Sequence, residues 1–240
     1  MKRIVMSISL FLACIHYIQA KNYVVCVGIA DYPGAEMDLK LSAKDAITMG
    51  GIYKKNNDAE VLIYINEEAK LNHIKTAMQD LFVKATSTDA IVFFFSGHGV
   101  PGGFICYDGM LMYDALTEIM SNSQANCKMI FADACFSGNA RKESGDNYRK
   151  KAKNVIFFLS SRSGEKSLEW KKGWKNSLFT AFLERGLRGG ADTNKDRIIT
   201  AKEIFLFVSN GVAEQSLQMQ HPVMWGRFND EMPVMSWKKK

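Results

Sequence analysis

Short, continuous apolar runs alternate along the chain with segments in which apolar residues recur every three or four positions. Because these runs are apolar at consecutive positions, they are typical of strands buried on both faces of a parallel sheet. A final strand is predicted near the end of the chain. The predicted strands cover residues 23–30, 60–65, 90–95, 128–132, 155–160 and 221–228.

The segments between these runs have the periodicity of helices that pack on a sheet. In the first of them, one helix face carries Ala43, Ala46, Ile47, Gly50 and Tyr53. Further helices are predicted over residues 71–82, 113–120, 177–187 and 201–217. Strands that alternate with helices predict an α/β, three-layer αβα fold, in which helices cover both faces of a mostly parallel six-stranded sheet.

Composition supports a single domain and indicates no nucleic-acid partner. A chain of 240 residues that is 47% hydrophobic and 23% charged is long enough to bury one sizeable core. The formal net charge of +6 loses two units if Lys2 and Arg3 are removed, which leaves an ordinary value. The basic residues do not alternate with aromatic residues along any one segment, so nucleic acid is not predicted as a partner.

The first twenty residues have the pattern of a secretory signal peptide. Two basic residues precede an apolar stretch over residues 4–15, and the small residue Ala20 is followed by a polar segment. The stretch is too short to span a bilayer, so we expect cleavage after Ala20 and a secreted or periplasmic location, with membrane contact only during export. A single domain then covers residues 21–240. Lipid attachment at Cys14 and an uncleaved membrane anchor are the alternatives.

Two of the predicted strands end in residues that can carry chemistry. The third runs into the sequence SGHG, which contains His98, and the fourth runs into DACFSG, which contains Cys135. Since loops leave an open α/β sheet at the carboxyl ends of its strands, neighbouring strands would bring both residues to one edge. An imidazole beside a thiol can remove its proton and later protonate a leaving amine. The pair therefore indicates Cys135 as a nucleophile and His98 as its general base.

Glycines flank both residues and would let the backbone approach a substrate closely. We expect the N–H groups of Gly99 and Cys135 to form an oxyanion hole. Each member of the pair has an ordinary explanation by itself, because a cysteine at a strand end is often a small buried residue and a lone histidine is often structural. Neither CxxC spacing nor a histidine cluster indicates a metal, and the predicted chemistry requires no cofactor.

The segments around these two residues resemble known motifs. Residues 93–99, FFFSGHG, and residues 131–138, FADACFSG, are similar to the histidine and cysteine motifs of the caspase, metacaspase and bacterial caspase-like peptidase family. The likeness extends to residues 27–32, 41–46 and 173–183 and to the last strand. It implies a caspase-like fold and a cysteine endopeptidase that forms a thioester with its substrate.

The resemblance also implies a substrate pocket. Asp45 and Asp133 match acidic positions in the pocket of metacaspases, and Ser96 matches a third residue that lines it. Two carboxylates that face a guanidinium group suit the bidentate hydrogen bonds of arginine. We therefore expect protein or peptide substrates that are cleaved after Arg or Lys.

Alternatives to this specificity remain open. Asp45 also completes the sequence SAKD from Ser42, which is typical of a capping box at a helix N-terminus. Arg162 follows a predicted strand and would favour acidic side chains near the cleft. An aspartate-specific caspase and a non-catalytic binding module with the same fold are the competing functions.

A basic segment over residues 139–154 follows the cysteine motif, in the position of the inter-subunit linker of caspases. Its basic residues are Arg141, Lys142, Arg149, Lys150, Lys151 and Lys153. An enzyme that cuts after Arg or Lys would find its own cleavage sites there, and self-processing is therefore a hypothesis. A solvated loop is the alternative.

One further segment has the spacing of a calcium site. Residues 192–203 follow an EF-hand loop, although Arg197 occupies the sixth position, where glycine normally allows a sharp turn. The candidate ligands are Asp192, Asn194, Asp196, Ile198, Thr200 and Glu203. A structural calcium ion here would stabilise a loop and leave the chemistry unchanged. The alternative is an Asp-rich turn that starts a helix.

Overall fold

The computed structural model has the order of strands and helices that the sequence predicts. It describes residues 20–55, 58–135, 154–162, 164–169 and 173–237. The strands are β1 (Asn22–Gly28), β2 (Ala59–Ile65), β3 (Ala90–Ser96), β4 (Gly99–Val100), β5 (Gly103–Ile105), β6 (Met110–Met112), β7 (Cys127–Asp133), β8 (Val155–Leu159), β9 (Ile198–Thr200), β10 (Val223–Gly226) and β11 (Pro233–Ser236). The α-helices are α1 (Ser42–Lys55), α2 (Leu71–Phe82), α3 (Tyr113–Asn122), α4 (Leu178–Arg185) and α5 (Ala201–Gln215).

A six-stranded sheet forms the centre of the domain, in the order β10-β8-β7-β3-β1-β2. Its strands pair in parallel except at one edge, where β10 runs antiparallel to β8. The prediction of a mostly parallel six-stranded sheet in an α/β fold is thus confirmed. β3 lies directly beside β7, so the strands that precede His98 and Cys135 are neighbours.

Helices cover both faces of this sheet because alternate residues of each strand point to opposite sides. Val25 and Phe93 belong to a core that includes residues of α2 and α3. Val24 and Phe94, one position away, belong to a second core with residues of α1, α4 and α5. The three-layer arrangement follows, with a separate apolar cluster on each side of the sheet.

Two small antiparallel sheets lie outside the predicted pattern. β4, β5 and β6 form one of them directly after His98, and β9 pairs with β11 in the other. Strands of two to four residues are too short to show a hydrophobic period, which is why the sequence pattern predicts none of them. Phe104 and Leu111 of the first small sheet pack into the core on the α2 and α3 side.

Two of the sequence predictions fall largely on residues that are not described. Residues 1–19 contain most of the expected signal peptide, and residues 136–153 contain the end of the cysteine motif and most of the basic segment. Both stay predictions. In the ranges given above, no helix combines the length and the apolar character needed to cross a membrane.

Gly28, the last residue of β1, allows the strand to pass close to the start of α1. A β-carbon at this position would lie 2.2 Å from the carbonyl oxygen of Ser42 and 2.7 Å from the β-carbon of Ala46. Because these are backbone and β-carbon atoms, they cannot rotate away. We expect Gly28→Ala to lower the free energy of unfolding by about 1–3 kcal/mol, the usual effect of overpacking.

Gly51→Ala is the matched control, since nothing lies within 4 Å of the β-carbon it would add. In the interior of α1 this substitution should raise the free energy of unfolding by about 0.5–1 kcal/mol. Urea denaturation of wild type and both variants measures the two changes. A Gly28→Ala protein as stable as wild type would contradict the close contact.

Candidate active site

His98 and Cys135 lie at the same edge of the central sheet. β3 and β7 pair with Ser96 opposite Asp133, and His98 and Cys135 each follow their paired residue by two positions. Beyond the strands the two chain segments stay in contact, since the N–H of Gly97 donates to the carbonyl oxygen of Asp133 at 3.2 Å. The structure therefore brings the predicted nucleophile and base to adjacent turns.

Gly99 marks a close approach between these turns. A β-carbon at this position would lie 2.1 Å from the carbonyl oxygen of Cys135 and 3.2 Å from the β-carbon of Ala134. The absence of a side chain thus lets the backbone after His98 lie directly against the backbone of Cys135. The two residues predicted to supply oxyanion donors are neighbours, and their role in catalysis stays a prediction.

The imidazole ring of His98 is held by residues that follow β1. Its Nε2 lies 2.7 Å from the carbonyl oxygen of Met37. The ring of Tyr32 lies against it at a centroid distance of 4.9 Å. The Tyr32 hydroxyl also accepts a hydrogen bond from the N–H of His98 at 2.9 Å and donates one to the carbonyl oxygen of Ile105 at 3.1 Å. Ring and backbone of His98 are both fixed by these contacts.

The contact with Met37 also decides which ring nitrogen of His98 carries a proton. A carbonyl oxygen only accepts hydrogen bonds, so Nε2 must donate, and the lone pair of the neutral ring lies on Nδ1. Nδ1 is thus the atom that can take a proton from a thiol. Once the ring is protonated, the same hydrogen bond becomes charge-assisted and stabilises the imidazolium.

Cys135 is presented by a rigid backbone. Its side chain is half-buried, whereas the preceding Ala134 is buried and makes two hydrogen bonds with Ser160. The Ala134 N–H donates to the Ser160 hydroxyl, which donates to the Ala134 carbonyl oxygen, both at 3.2 Å. The carbonyl oxygen of Ser160 accepts from Nε2 of the buried Gln220 at 2.8 Å. The residue that follows β8 therefore anchors Ala134, the neighbour of the predicted nucleophile.

The other described cysteines are poorly suited to nucleophilic chemistry. Burial raises the pKa of Cys106 to about 12, and it raises the pKa of Cys26 and of Cys127 as well. Because the thiolate is the nucleophilic form, burial makes these thiols weaker nucleophiles near neutral pH. Cys135 combines partial exposure with a position at the carboxyl end of a strand, where it meets His98.

Asp45 lies in the first turn of α1, is fully buried and accepts four hydrogen bonds. The hydroxyl of Ser96 donates at 2.9 Å and the side-chain amide of Asn176 at 2.9 Å. Ser177 donates twice, from its N–H at 3.0 Å and from its hydroxyl at 2.6 Å. Asp45 therefore joins α1 to the end of β3 and to the start of α4, and it contacts Ser96, the third predicted pocket residue.

Asp133 provides a second buried carboxylate in the same region. Thr180 of α4 donates to it from its N–H at 3.1 Å and from its hydroxyl at 2.7 Å. The hydroxyl of Ser167, in the loop after β8, also donates to it. Since Asp133 precedes Cys135 by two residues, this acid ends the strand that leads to Cys135.

Burial raises the pKa of both carboxyl groups. The pKa of Asp45 rises to about 7, first because of burial and second because of the nearby negative charge of Asp133. The pKa of Asp133 is also raised by burial, and Glu169 adds to the rise. Burial and like charge both disfavour the ionised forms, whereas a cation that entered the region would favour them.

The loop after β8 lies over these acids. Glu169 accepts hydrogen bonds from the N–H groups of Lys40 and Leu41 at 2.7 and 2.8 Å, which fastens the loop to the segment before α1. Ser167 contacts Asp133 from the same loop. Arg162 is exposed at its start and donates from its N–H to Glu165 at 3.2 Å, and it is not among the hydrogen-bond donors to either buried acid described above.

The capping-box interpretation of Asp45 is wrong. The hydrogen bonds to its carboxylate come from Ser96, Asn176 and Ser177, which are distant in sequence, rather than from the first turn of its own helix. Sequence reasoning missed these donors because Asn and Ser directly before an apolar helix are typical N-cap residues. The family likeness of residues 173–183 was the one signal that pointed to them.

The carboxylates of the predicted calcium loop accept hydrogen bonds from within the loop, except that Oδ1 of Asp192 is buried without a hydrogen-bond partner among the described residues. Arg197 has a φ of 72°, so it adopts the left-handed conformation that glycine would favour. Glu203 accepts hydrogen bonds from Thr193 and forms a capping box with Thr200 at the start of α5. Asp192 accepts from the N–H of Arg197 at 3.1 Å. No group of three or more His, Cys, Asp or Glu in the described part of the chain is placed to hold a metal ion. Calcium binding stays a prediction.

The cysteine and the histidine thus lie at adjacent strand ends of an αβα domain, the arrangement that the sequence predicts for a thiol peptidase. Residues 21–233 match the sequence model of the family described as the caspase domain. The chain belongs to this family, and its domain is a caspase-family cysteine peptidase domain. No curated protein matches the sequence.

Solved structures agree with this assignment at the level of the fold. Caspase-1 from Spodoptera frugiperda has a TM-score of 0.68 and 16% sequence identity, covering 92% of this chain and 92% of that chain. A structural-genomics target protein from Geobacter sulfurreducens has a TM-score of 0.65 and 15% identity, covering 91% of this chain and 100% of its own. The predicted caspase-like fold is confirmed by these similarities.

The buried carboxyl of Asp45 should make the stability of the protein depend on pH. Its pKa is about 7 in the folded protein against an ordinary 3.8, so the folded state keeps a proton that the unfolded chain releases. The stability that this proton provides is complete below the ordinary pKa and is lost as pH rises through about 7. We expect Asp45→Asn, which cannot ionise, to remove this part of the slope.

Urea denaturation between about pH 5 and pH 8 measures the effect. The difference in unfolding free energy between Asp45→Asn and wild type should shift in favour of the variant as pH rises. Asp230→Asn, at an exposed aspartate, is the control and should follow wild type at every pH. Parallel curves for Asp45→Asn and wild type would contradict a raised pKa.

Proposed function

We propose that the chain is a secreted cysteine endopeptidase that cleaves protein or peptide substrates after Arg or Lys through Cys135 and His98. The observation that carries the proposal is the position of the buried acid pair beside the cysteine and histidine. Asp133 ends the strand that presents Cys135, and Asp45 is bound to Ser96, which ends the strand that presents His98. The same sheet edge thus holds the proposed nucleophile, the proposed base and two carboxyl groups that a bound cation would keep ionised.

The first chemical step forms a thioester. Nδ1 of His98 takes the thiol proton, and the sulfur of Cys135 attacks the carbonyl carbon of the scissile peptide bond. The carbon–nitrogen bond then breaks as the imidazolium gives its proton to the leaving amine. The hydrogen bond from Nε2 to Met37 keeps the ring in one orientation throughout.

The second step hydrolyses the thioester. His98 takes a proton from water, the resulting oxygen nucleophile attacks the carbonyl carbon, and the carbon–sulfur bond breaks to release the acid product and the thiolate. The backbone N–H groups of Gly99 and Cys135 are the proposed oxyanion donors in both steps. No metal ion or organic cofactor is needed for this sequence.

The acid pair is the basis for proposing a substrate with Arg or Lys before the scissile bond. A guanidinium group offers five N–H donors in a planar fork and remains charged at neutral pH, so it can bind both carboxylates and stabilise their ionised forms. To reach Asp133, it would replace the hydrogen bond from Ser167, a half-buried residue in the loop after β8. A substrate aspartate would instead find two further carboxyl groups, whose ionised forms repel it, and this disfavours the aspartate-specific alternative.

Three further features belong to the proposal. Export would depend on residues 1–20, which have the pattern of a signal peptide. Self-processing would occur in residues 139–154, where basic residues follow the cysteine motif. A calcium ion held by residues 192–203 would have a structural role away from the chemistry.

Peptides that differ only at the residue before the scissile bond test the specificity. We expect purified protein to cleave peptides with Arg or Lys there with a kcat/KM about 100-fold or more above that for Asp or Asn. For Arg substrates, KM should fall as pH rises through about 7, because Asp45 becomes ionised. Asp45→Asn should weaken both effects, and Asp230→Asn should change neither.

Cys135→Ala removes the nucleophile and should abolish turnover of every peptide. Turnover by wild type that is confined to Asp peptides would contradict the pocket assignment. If wild type cleaves none of the four peptides, the peptidase proposal itself is contradicted and the non-catalytic module becomes the better explanation.

Self-processing predicts specific fragments. On incubation, wild-type protein should yield pieces whose masses correspond to cuts after Arg or Lys within residues 139–154, because this segment matches the proposed specificity. Intact-mass spectrometry of wild type and Cys135→Ala, purified and incubated in parallel, measures this. Equal fragments from both proteins would assign the cuts to a contaminating protease.

A further inference from the structure

An apolar cavity of about 400 Å³ opens beside the histidine turn. It lies between the segment that follows β1 and the small sheet formed by β4, β5 and β6. Its lining includes Tyr32, Met37, Val100, Ile105 and Met110, and none of its lining residues is charged. The volume falls within the range of about 300–1,000 Å³ that is usual for ligand pockets.

The cavity shares two residues with the contacts that hold His98. Met37 accepts the hydrogen bond of the ring through its backbone, and it is also one of the lining residues. Tyr32 lies against the ring of His98 and forms another part of the lining. The cavity is therefore bordered by the residues that hold His98, although His98 itself is not part of the lining. A second, larger cavity of about 560 Å³ between β2 and α2 includes neither His98 nor its partners.

The cavity and the acid pair lie toward opposite faces of the central sheet. Asp45 belongs to α1, and residues of α4 and of the segment before it donate hydrogen bonds to Asp45 and Asp133, on one side. The small sheet that borders the cavity packs through Phe104 and Leu111 into the core on the α2 and α3 side. A peptide that crosses the edge of the sheet would thus pass from the acids to the cavity by way of Cys135 and His98.

The chemistry fixes the direction in which the peptide passes. The residue before the scissile bond belongs with the acids, and the leaving amine must come within hydrogen-bond distance of His98 to receive its proton. The chain that continues from this amine therefore leaves on the histidine side. We infer that the cavity binds the apolar side chain of the first or second residue after the scissile bond. This inference rests on the proposed peptidase function.

The lining explains why the side chain should be apolar. The Tyr32 hydroxyl is already engaged with His98 and Ile105, so this residue presents mainly its ring to the cavity. A charged substrate group would lose its hydration and find no partner of opposite charge among the lining residues. A leucine or phenylalanine would instead exchange water for contact with aliphatic and aromatic groups.

Internally quenched peptides with Arg before the scissile bond test the inference. Two peptide series place Leu, Gly or Glu at the first and at the second position after the bond. In at least one series, we expect kcat/KM for Leu to exceed that for Gly by about tenfold or more, with Glu below Gly. Equal kcat/KM values for the three residues in both series would overturn the inference.

Met110 and Met112 provide a matched pair of variants. Both lie on β6 and have similar exposure, 41% and 43%, but only Met110 is among the residues that line the cavity. Met110→Glu should reduce the ratio of Leu to Gly turnover about tenfold, because it places a charge at the cavity wall. Met112→Glu should keep the wild-type ratio. Equal ratios in the two variants would overturn the inference.

A binding measurement provides a readout besides activity. In Cys135→Ala protein labelled with ¹³C at the methionine methyl groups, the peptide amide Leu-Leu-NH₂ represents the leaving side of the substrate. The methyl signals of Met37 and Met110 should shift on its addition, and that of Met112 should not. Unchanged Met37 and Met110 signals would show that another segment or no ligand occupies the cavity, and would overturn the inference.

The two levels of the hypothesis fail in different ways. If wild type cleaves none of the Arg peptides, the proposed peptidase function fails, and the inference fails with it. If wild type cleaves them without regard to the residues after the bond, the peptidase function stands and the inference alone is overturned.

Discussion

The parallel pairing of β3 with β7 is the constraint on which the site depends. With Ser96 opposite Asp133, each strand places its reactive residue two positions beyond the pair, so His98 and Cys135 leave the sheet at the same level. A shift of register by one residue would turn one of them to the other face and separate the proposed nucleophile from its proposed base. The hydrogen bonds of Met37 and Ser160 then orient the His98 ring and the backbone before Cys135, but they can form only once the strands are paired in this register.

The same edge carries two carboxylates that the protein interior would ordinarily exclude. Removing an ion from water costs several kcal/mol, and here the cost is offset by hydroxyl, amide and backbone donors from α4 and the neighbouring loop. These donors offset only part of the cost of burying the carboxylate, and the remaining cost raises the pKa of Asp45. The two carboxyl groups can therefore link the helices to the sheet and also attract a cation. The hydrogen bonds that make this link hold the carboxyl groups in place.

The sequence predicts the parts of the structure that have a period or a local motif. The long strands and helices follow from apolar periodicity, and the pair of His98 and Cys135 follows from Gly-containing turns at strand ends. The pocket role of Asp45 and Asp133 is predicted only through the family resemblance. No local pattern reveals the partners of Asp45, because they lie 51 to 132 positions away in the sequence. The carbonyl of Met37 could not be predicted, because every residue has a backbone carbonyl and only the tertiary fold selects one.

Met37 connects the two sides of the proposed site. Its backbone carbonyl holds the ring that we propose as the proton donor to the leaving amine, and Met37 also lines the apolar cavity proposed for the leaving side. A substrate residue that packs in the cavity thus touches the same residue that fixes the proton donor. Since a proton transfer depends on distances of about 2.6–3.2 Å, binding on the leaving side and the geometry of catalysis share one structural element. Charge on one face of the sheet and apolar surface on the other would together give the bound peptide its direction.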